Sequence, residues 1–304
     1  MPDPGLFVRD RPNPSSTLMK NSSPSHEAIE RKGSVATAGG EPLPQNGDSS
    51  RVGALIVNAD DWGRDHENTE RTLECVRRRT VSSVSAMVFM EDSDRAATIA
   101  GDRRIDTGLH LNFTTPFSAP GVPARLCEHQ GRVARYLGRH RLAQVVFHPG
   151  LRRSFEYVVA AQIGEFSRLY GREPGRIDGH HHMHLCANVL LGKLLPRGTI
   201  VRRNFSFRPG DKSYGNRLYR RMVDTTLAKR HSLADYFFSL PPLEPEERLD
   251  RIRSLSDHFV VEVETHPVNE VEYQFLTGDG VTRWTRGSPI ASRFSLVRRS
   301  TMDD

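Results

Sequence analysis

GALIVNADD, residues 53–61, decides the fold. It begins as a short apolar run and stops on polar residues, which by its length reads as a buried strand. Behind it, HENTERTLECVRR (66–78) carries Thr69, Leu73 and Val76 at helical spacing. The alternation continues outward. SVSAMVF (83–89), DTGLHLNF (106–113), RIDGH (176–180), TIVRRNF (199–205) and HFVVEVETHP (258–267) read as strands. Residues 92–100, 153–170, 186–195, 213–230 and 244–255 read as helices. The Pro- and Gly-containing stretch 115–150 reads as a long insertion or lid. Strands that alternate with helices predict βα units around a parallel sheet, open or closed into a barrel.

Composition bounds the rest. The chain has 304 residues, a formal net charge of +6, 13 histidines and three cysteines. Residues 1–50 hold seven Pro, eight Ser and five Gly, with few apolar residues and no period. Such a segment cannot bury enough surface to offset its ordering entropy, so residues 1–52 are expected to be a disordered polar arm and 53–304 one folded domain. The arm carries five basic and six acidic residues, so the positive charge belongs to the domain. No apolar run approaches the roughly 18 residues of a membrane span, and no secretory signal is expected. Cys75, Cys127 and Cys186 are odd in number and widely spaced, with no CxxC. That excludes a disulfide scaffold and a Cys-type zinc finger, and fits a reducing, cytoplasmic compartment.

Polar residues gather where the predicted strands end, and in parallel α/β folds strand C-termini converge on one face. Asp60 and Asp61 follow the first strand. Two adjacent carboxylates repel unless a cation lies between them or one is protonated. The bland reading is a turn. RIDGHHHMH (176–184) places Asp178 before four histidines in five residues, His180, His181, His182 and His184. In an extended segment His180, His182 and His184 would point one way and His181 the other. Imidazole is the commonest metal ligand near neutral pH, whereas the bland reading is exposed histidines in a loop. His110 (in GLHLN) and His266 (in ETHP) stand at two more strand ends, where each alone would be an ordinary core histidine. One carboxylate and two histidines from separate segments make a catalytic type of metal site, with a position left open for water. A spare Asp can take the water's proton and a remote His can protonate a leaving group.

Five blocks in order, NADDWG (58–63), TVSSVSAMV (80–88), TGLHLN (107–112), RIDGHHHMH (176–184) and EVETHP (262–267), resemble the YdjC-like carbohydrate deacetylases, also called the ChbG/HpnK family. The resemblance spans about residues 53–300. It implies a single distorted (β/α) barrel of the glycoside hydrolase/deacetylase type, acting on an N-acetylated sugar or glycan. It implies one divalent ion, Mg²⁺ or Zn²⁺, held by Asp61, His110 and His180. By the same likeness Asp60 is the general base and His266 the general acid. Asp178, His182, His184 and Arg202 are expected to contact substrate or stand behind the ligands. Trp62, where the family more often has Phe, is expected to alter packing or a sugar-facing wall.

Two other readings compete. A metal-dependent hydrolase of another ester, or of a phosphate, would be favoured if Arg202, Arg203, Arg208 and Lys212 line the pocket, since guanidinium forks match phosphate. A polyanion-binding protein would rest on the basic charge and on Arg217, Arg220, Arg221, Lys229 and Arg230 in one helix. A solvated helix face is the ordinary account of such a run, no nucleic-acid motif is visible, and no nucleic acid is expected as partner.

Overall fold

A computed structural model describes residues 51–139, 141–207, 211–296 and 299–300. By contact the chain divides into a unit containing Ser50–Asp304 and a second, Phe7–Ser49. The second unit and most of the expected arm lie outside the described residues; Arg51–Val52 (β1) pair antiparallel with Arg299–Ser300 (β9).

Seven parallel strands make one sheet. In chain order they are β2 (Ala54–Trp62), β3 (Ser83–Ala86), β4 (Thr107–Leu111), β5 (Arg176–Gly179), β6 (Ile200–Val201), β7 (Tyr236–Ser239) and β8 (Val260–Thr265). Their order across the sheet is β6-β5-β4-β3-β2-β8-β7. The sheet curls until its edges nearly meet. The gap between β6 and β7 is spanned by irregular chain: Val201 N donates to Ser232 O (3.0 Å), Ser232 N to Thr199 O (3.2 Å) and Ser206 N to Phe237 O (2.8 Å). Helices α1 (His66–Arg77), α2 (Ser93–Arg103), α3 (Ala124–Arg139), α4 (Arg152–Tyr170), α5 (Ala187–Gly192), α6 (Tyr214–Ala228), α7 (Glu246–Ser256), α8 (Glu270–Thr277) and α9 (Gly280–Thr285) follow or separate the strands.

The expected βα alternation is present, with four differences. Stretch 115–150, read only as an insertion or lid, contains a helix: Leu126, Gln130, Val133 and Leu137 recur at helical spacing and are buried along α3, which packs on α4. Pro and Gly cluster before that helix and hide its period. Strand β6 is two residues long rather than seven, because the chain leaves the sheet after Val201. YFFS (236–239) is a strand missed in the sequence, and α8 and α9 were missed with it. The histidine run is not extended. Residues His180–Leu185 form a 3-10 turn, with His181 and His182 at φ 54° and 56°.

Strand β2 shows how the sheet sorts its residues. Leu55, Val57 and Ala59 join the main core with helical residues such as Leu73, Ala96 and Ile252. Ile56, Asn58 and Asp60 face the inside of the curl, as strand alternation requires. The interior is therefore layered. At the end where the strands begin, Ile56, Ala234 and Val260 are covered by Ala291, Phe294 and Leu296 from the C-terminal segment, and Ala291 N donates to Leu55 O (2.8 Å). Above them the lining is polar.

Candidate active site

A bulge resolves the puzzle of the paired aspartates. Neighbours on a strand should point to opposite faces. The register of β2 against β3 slips between Ala59 and Trp62, and Asp61 takes the left-handed conformation at φ 63°. Asp tolerates that region better than most residues, and bulges often re-aim side chains at sites. Asp60 and Asp61 thus both turn inward and are buried.

Each is then held differently. Asp60 receives the two Nη atoms of Arg202 at 2.6 and 2.8 Å, and Asn58 Nδ2 donates to it at 2.8 Å. Burial alone would raise its pKa, but Arg202 and His110 outweigh burial and hold it below the usual carboxylate range. Asp61 Oδ2 accepts from Arg64 Nη1 at 2.9 Å. Asp61 Oδ1 lies 2.9 Å from His180 Nδ1 and 3.4 Å from His110 Nε2, yet forms no well-aligned hydrogen bond. Three potential metal-ligand atoms, one each from Asp61, His110 and His180, thus lie within 4.8 Å of one another.

His110 is fixed from behind. Its Nδ1 lies 2.8 Å from Asp178 Oδ1, and a carboxylate can only accept, so Nδ1 carries the proton. Nε2 faces the Asp61 oxygen, which also only accepts. Something positive must therefore stand at Nε2, a proton or a metal ion. Burial opposes a charge on His110, but Asp60, Asp178 and Asp61 override it and push its pKa up to about 10. His180 goes the other way: burial outweighs Asp61 and lowers its pKa, leaving a neutral imidazole suited to ligation.

Beneath these groups runs a buried network. Ser85 Oγ donates to Asp178 Oδ2 (2.6 Å) and accepts from Asn58 Nδ2 (2.8 Å). Arg176 donates to Asn58 Oδ1 (2.6 Å), Ser85 Oγ (3.2 Å) and Val84 O (2.9 Å), and its guanidinium lies 4.6 Å over the Phe294 ring. Arg202 also reaches Glu262 (2.7 Å), Asp178 (3.0 Å) and Glu264 (3.3 Å). Five carboxylates, Asp60, Asp61, Asp178, Glu262 and Glu264, meet three guanidiniums, Arg64, Arg176 and Arg202. That surplus of carboxylates favours positive charge at the centre, on the imidazoles of His110 and His266 or on a bound divalent cation. The donor set, its unsatisfied Asp61 oxygen and the carboxylate behind His110 all fit such an ion.

The other expected site residues are scattered around this centre. His266 ends β8, half-buried, its backbone N–H bonded to Glu272 (2.9 Å). Burial opposes its charge, but Asp60, Glu264, Asp61 and Glu272 raise its pKa. His182 keeps some exposed surface, lies 3.6 Å from Glu264 and packs edge-on against Phe205. His184 is wholly buried and its Nε2 donates to Arg202 O (3.0 Å), behind the centre. Trp62 is wholly buried in the apolar core, because the residue after the bulge points outward, which fits the expected effect on packing rather than a sugar-facing wall. His181, exposed, meets Thr114 Oγ1 at 3.0 Å. Among the described residues, the cations that would favour phosphate are engaged elsewhere or by carboxylates. Arg202 is spent on carboxylates, Arg203 on Asp224 (2.9 Å), Lys212 lies over Phe207, and Arg208 is outside the described residues. Reading by motif missed Arg64, Ser85 and Arg176. The serines of SVSA (83–86), alternating at period two, were the available signal for a polar interior.

The chain matches the family model described as YdjC-like protein over residues 54–286. It is 35% identical over 142 residues to a carbohydrate deacetylase of Mus musculus, covering 44% of this chain and 44% of that protein. It is 32% identical over 136 residues to a chitooligosaccharide deacetylase of Serratia marcescens, covering 43% and 50%. The chain thus spans about half the length of the curated relatives it matches. Among solved structures it resembles a candidate cellobiose-phosphate cleavage protein from Enterococcus faecalis, with a TM-score of 0.55 at 18% identity, over 79% of this chain and 96% of that one. At that identity the likeness shows the fold alone.

Proposed function

Because the chain belongs to the YdjC-like family, we propose that it is a metal-dependent hydrolase that removes N-acetyl groups from a carbohydrate. The observation that carries this reading is the unsatisfied Asp61 Oδ1 crowded by two imidazoles beside an Asp60 held by Arg202. The names of the relatives, carbohydrate deacetylase and chitooligosaccharide deacetylase, support the substrate class.

Asp61, His110 and His180 would hold the ion, Mg²⁺ or Zn²⁺. When bound, such an ion supplies Lewis acidity that polarises an amide carbonyl and lowers the pKa of a water. Asp60, kept ionised by Arg202, takes a proton from the attacking water. His266, whose carboxylate neighbours favour its protonated form, gives a proton to the departing nitrogen. The C–N bond breaks, leaving acetate and a free amine. The two shifts leave Asp60 ionised and favour a protonated His266, the states from which a base and an acid start. Asp178 fixes the tautomer of His110, and His182 faces the sugar. The proposed compartment is the cytoplasm, in keeping with three free cysteines.

The test is acetate release from a series of N-acetylglucosamine oligomers with Mg²⁺ or Zn²⁺. Activity should vanish in EDTA, return with one of the ions, and fall about 100-fold or more in Asp61→Asn. Bound metal with no acetate from any oligomer would sink the reading.

A further inference from the structure

Helix α6 carries its apolar residues on two opposite sides. Val223 and Leu227, with the half-buried Tyr219, face the core. On the far side Tyr214, Leu218 and Met222 follow at intervals of four residues, and are 74%, 55% and 58% exposed. A surface helix ordinarily gives that side to polar groups. Here the charged groups beside the stripe are Arg217, Arg221 and, at the helix's C-terminal cap, Lys229, all exposed. The helix's one carboxylate, Asp224, is turned away to Arg203 and Asn204. The outward face is thus apolar and cationic, with no acid on it.

We propose that this face docks the protein on an anionic phospholipid surface. Large apolar side chains flanked by Arg and Lys are the equipment of a helix that lies in the membrane interface, its apolar face among the upper acyl chains and its cations among the phosphates. Attachment would be peripheral, since no helix among the described residues is long and apolar enough to cross a membrane. Charge decides against the alternatives. Two copies paired through this face would set Arg217, Arg221 and Lys229 against the same cations, with no carboxylate to meet them. A nucleic-acid backbone would suit the cations but leave Leu218 and Met222 without a counterpart. The inference stands apart from the deacetylase reading, because its test needs no substrate.

The experiment is vesicle co-sedimentation of the full chain, with pure phosphatidylcholine or with phosphatidylcholine and phosphatidylglycerol at two to one. Binding should occur on the anionic vesicles, be absent on the neutral ones, and be lost at high salt. Leu218→Ser with Met222→Ser should weaken it more than about tenfold. Arg217→Gln with Arg221→Gln should weaken it about 20-fold at low salt. Melting temperatures should be unchanged, since all four positions are exposed. Equal binding to both vesicles, no binding to either, or binding indifferent to the variants overturns the proposal. So does a dimer, seen by sedimentation velocity, that the serine variants dissociate: the face would then join two copies.

Discussion

Gly108 shows how closely single residues are specified around this centre. A Cβ there would stand 2.8 Å from Arg176 Cζ, and that guanidinium cannot step aside because Asn58, Ser85 and Val84 O hold it. Gly108→Ala should therefore cost about 2 kcal/mol in urea denaturation, as overpacking does, and weaken metal binding through Ser85 and Asp178. His184 sets a pH limit. Burial outweighs its bond to the Arg202 carbonyl and lowers its pKa from 6.5 to about 3. As pH falls from 6.5 towards about 3, the unfolded chain takes up a proton that the folded chain refuses, and stability declines across that window. The effect is at most about 1.4 kcal/mol for each pH unit. In EDTA, the melting temperature of His184→Gln should fall less steeply with acid than that of the parent; parallel slopes would place the pH dependence elsewhere. At this scale the sequence was partly legible. Asp60, Asp61, His110 and His180 were conspicuous by type and position, whereas Arg176 and Ser85 were ordinary residues whose meaning comes only from their buried partners.

The histidine turn is the element on which the site depends most. Four imidazoles in five residues must leave in different directions, and a strand offers only two. The left-handed conformations of His181 and His182 provide the others. His180 then reaches Asp61, His182 reaches Glu264 and His184 drops behind Arg202. Gly179 permits the turn, since a Cβ there would stand 3.1 Å from the backbone N and ring of His184. Exposed His181 tests the backbone requirement. His181→Val should destabilise by about 1–2 kcal/mol, because a β-branched residue is strained at positive φ, while His181→Asn should stay within about 0.5 kcal/mol. Urea denaturation of both variants decides it, and equal losses would remove the backbone from the account. The extended reading of this run failed for a physical reason: composition singles out candidate ligands, but φ and ψ are set by what the side chains find around them. Helix α3 was illegible for a different reason, the prolines and glycine that precede it.

Across the whole molecule, the two ends of the sheet's interior are connected. Phe294, beyond the family match that ends at residue 286, lies under Arg176. From Arg176 the contacts run through Ser85 to Asp178 and so to His110. Phe294→Ala should lower stability by about 2–3 kcal/mol and, measured by metal titration in the folded state, weaken affinity several-fold. Stability lost with metal affinity intact would show that the C-terminal segment only plugs the interior. The alternation of apolar runs and helical periods determined by itself that this chain builds βα units, and polar strand ends determined where chemistry gathers, because burial of apolar surface is local enough to leave a period in the sequence. The tertiary structure alone decided how the site is made: the bulge that turns Asp60 and Asp61 together, the turn that disperses the histidines, and the single Arg202 shared among Asp60, Asp178, Glu262 and Glu264. Charges far apart in the chain interact strongly only when the fold removes water from between them, and no spacing along the sequence records that.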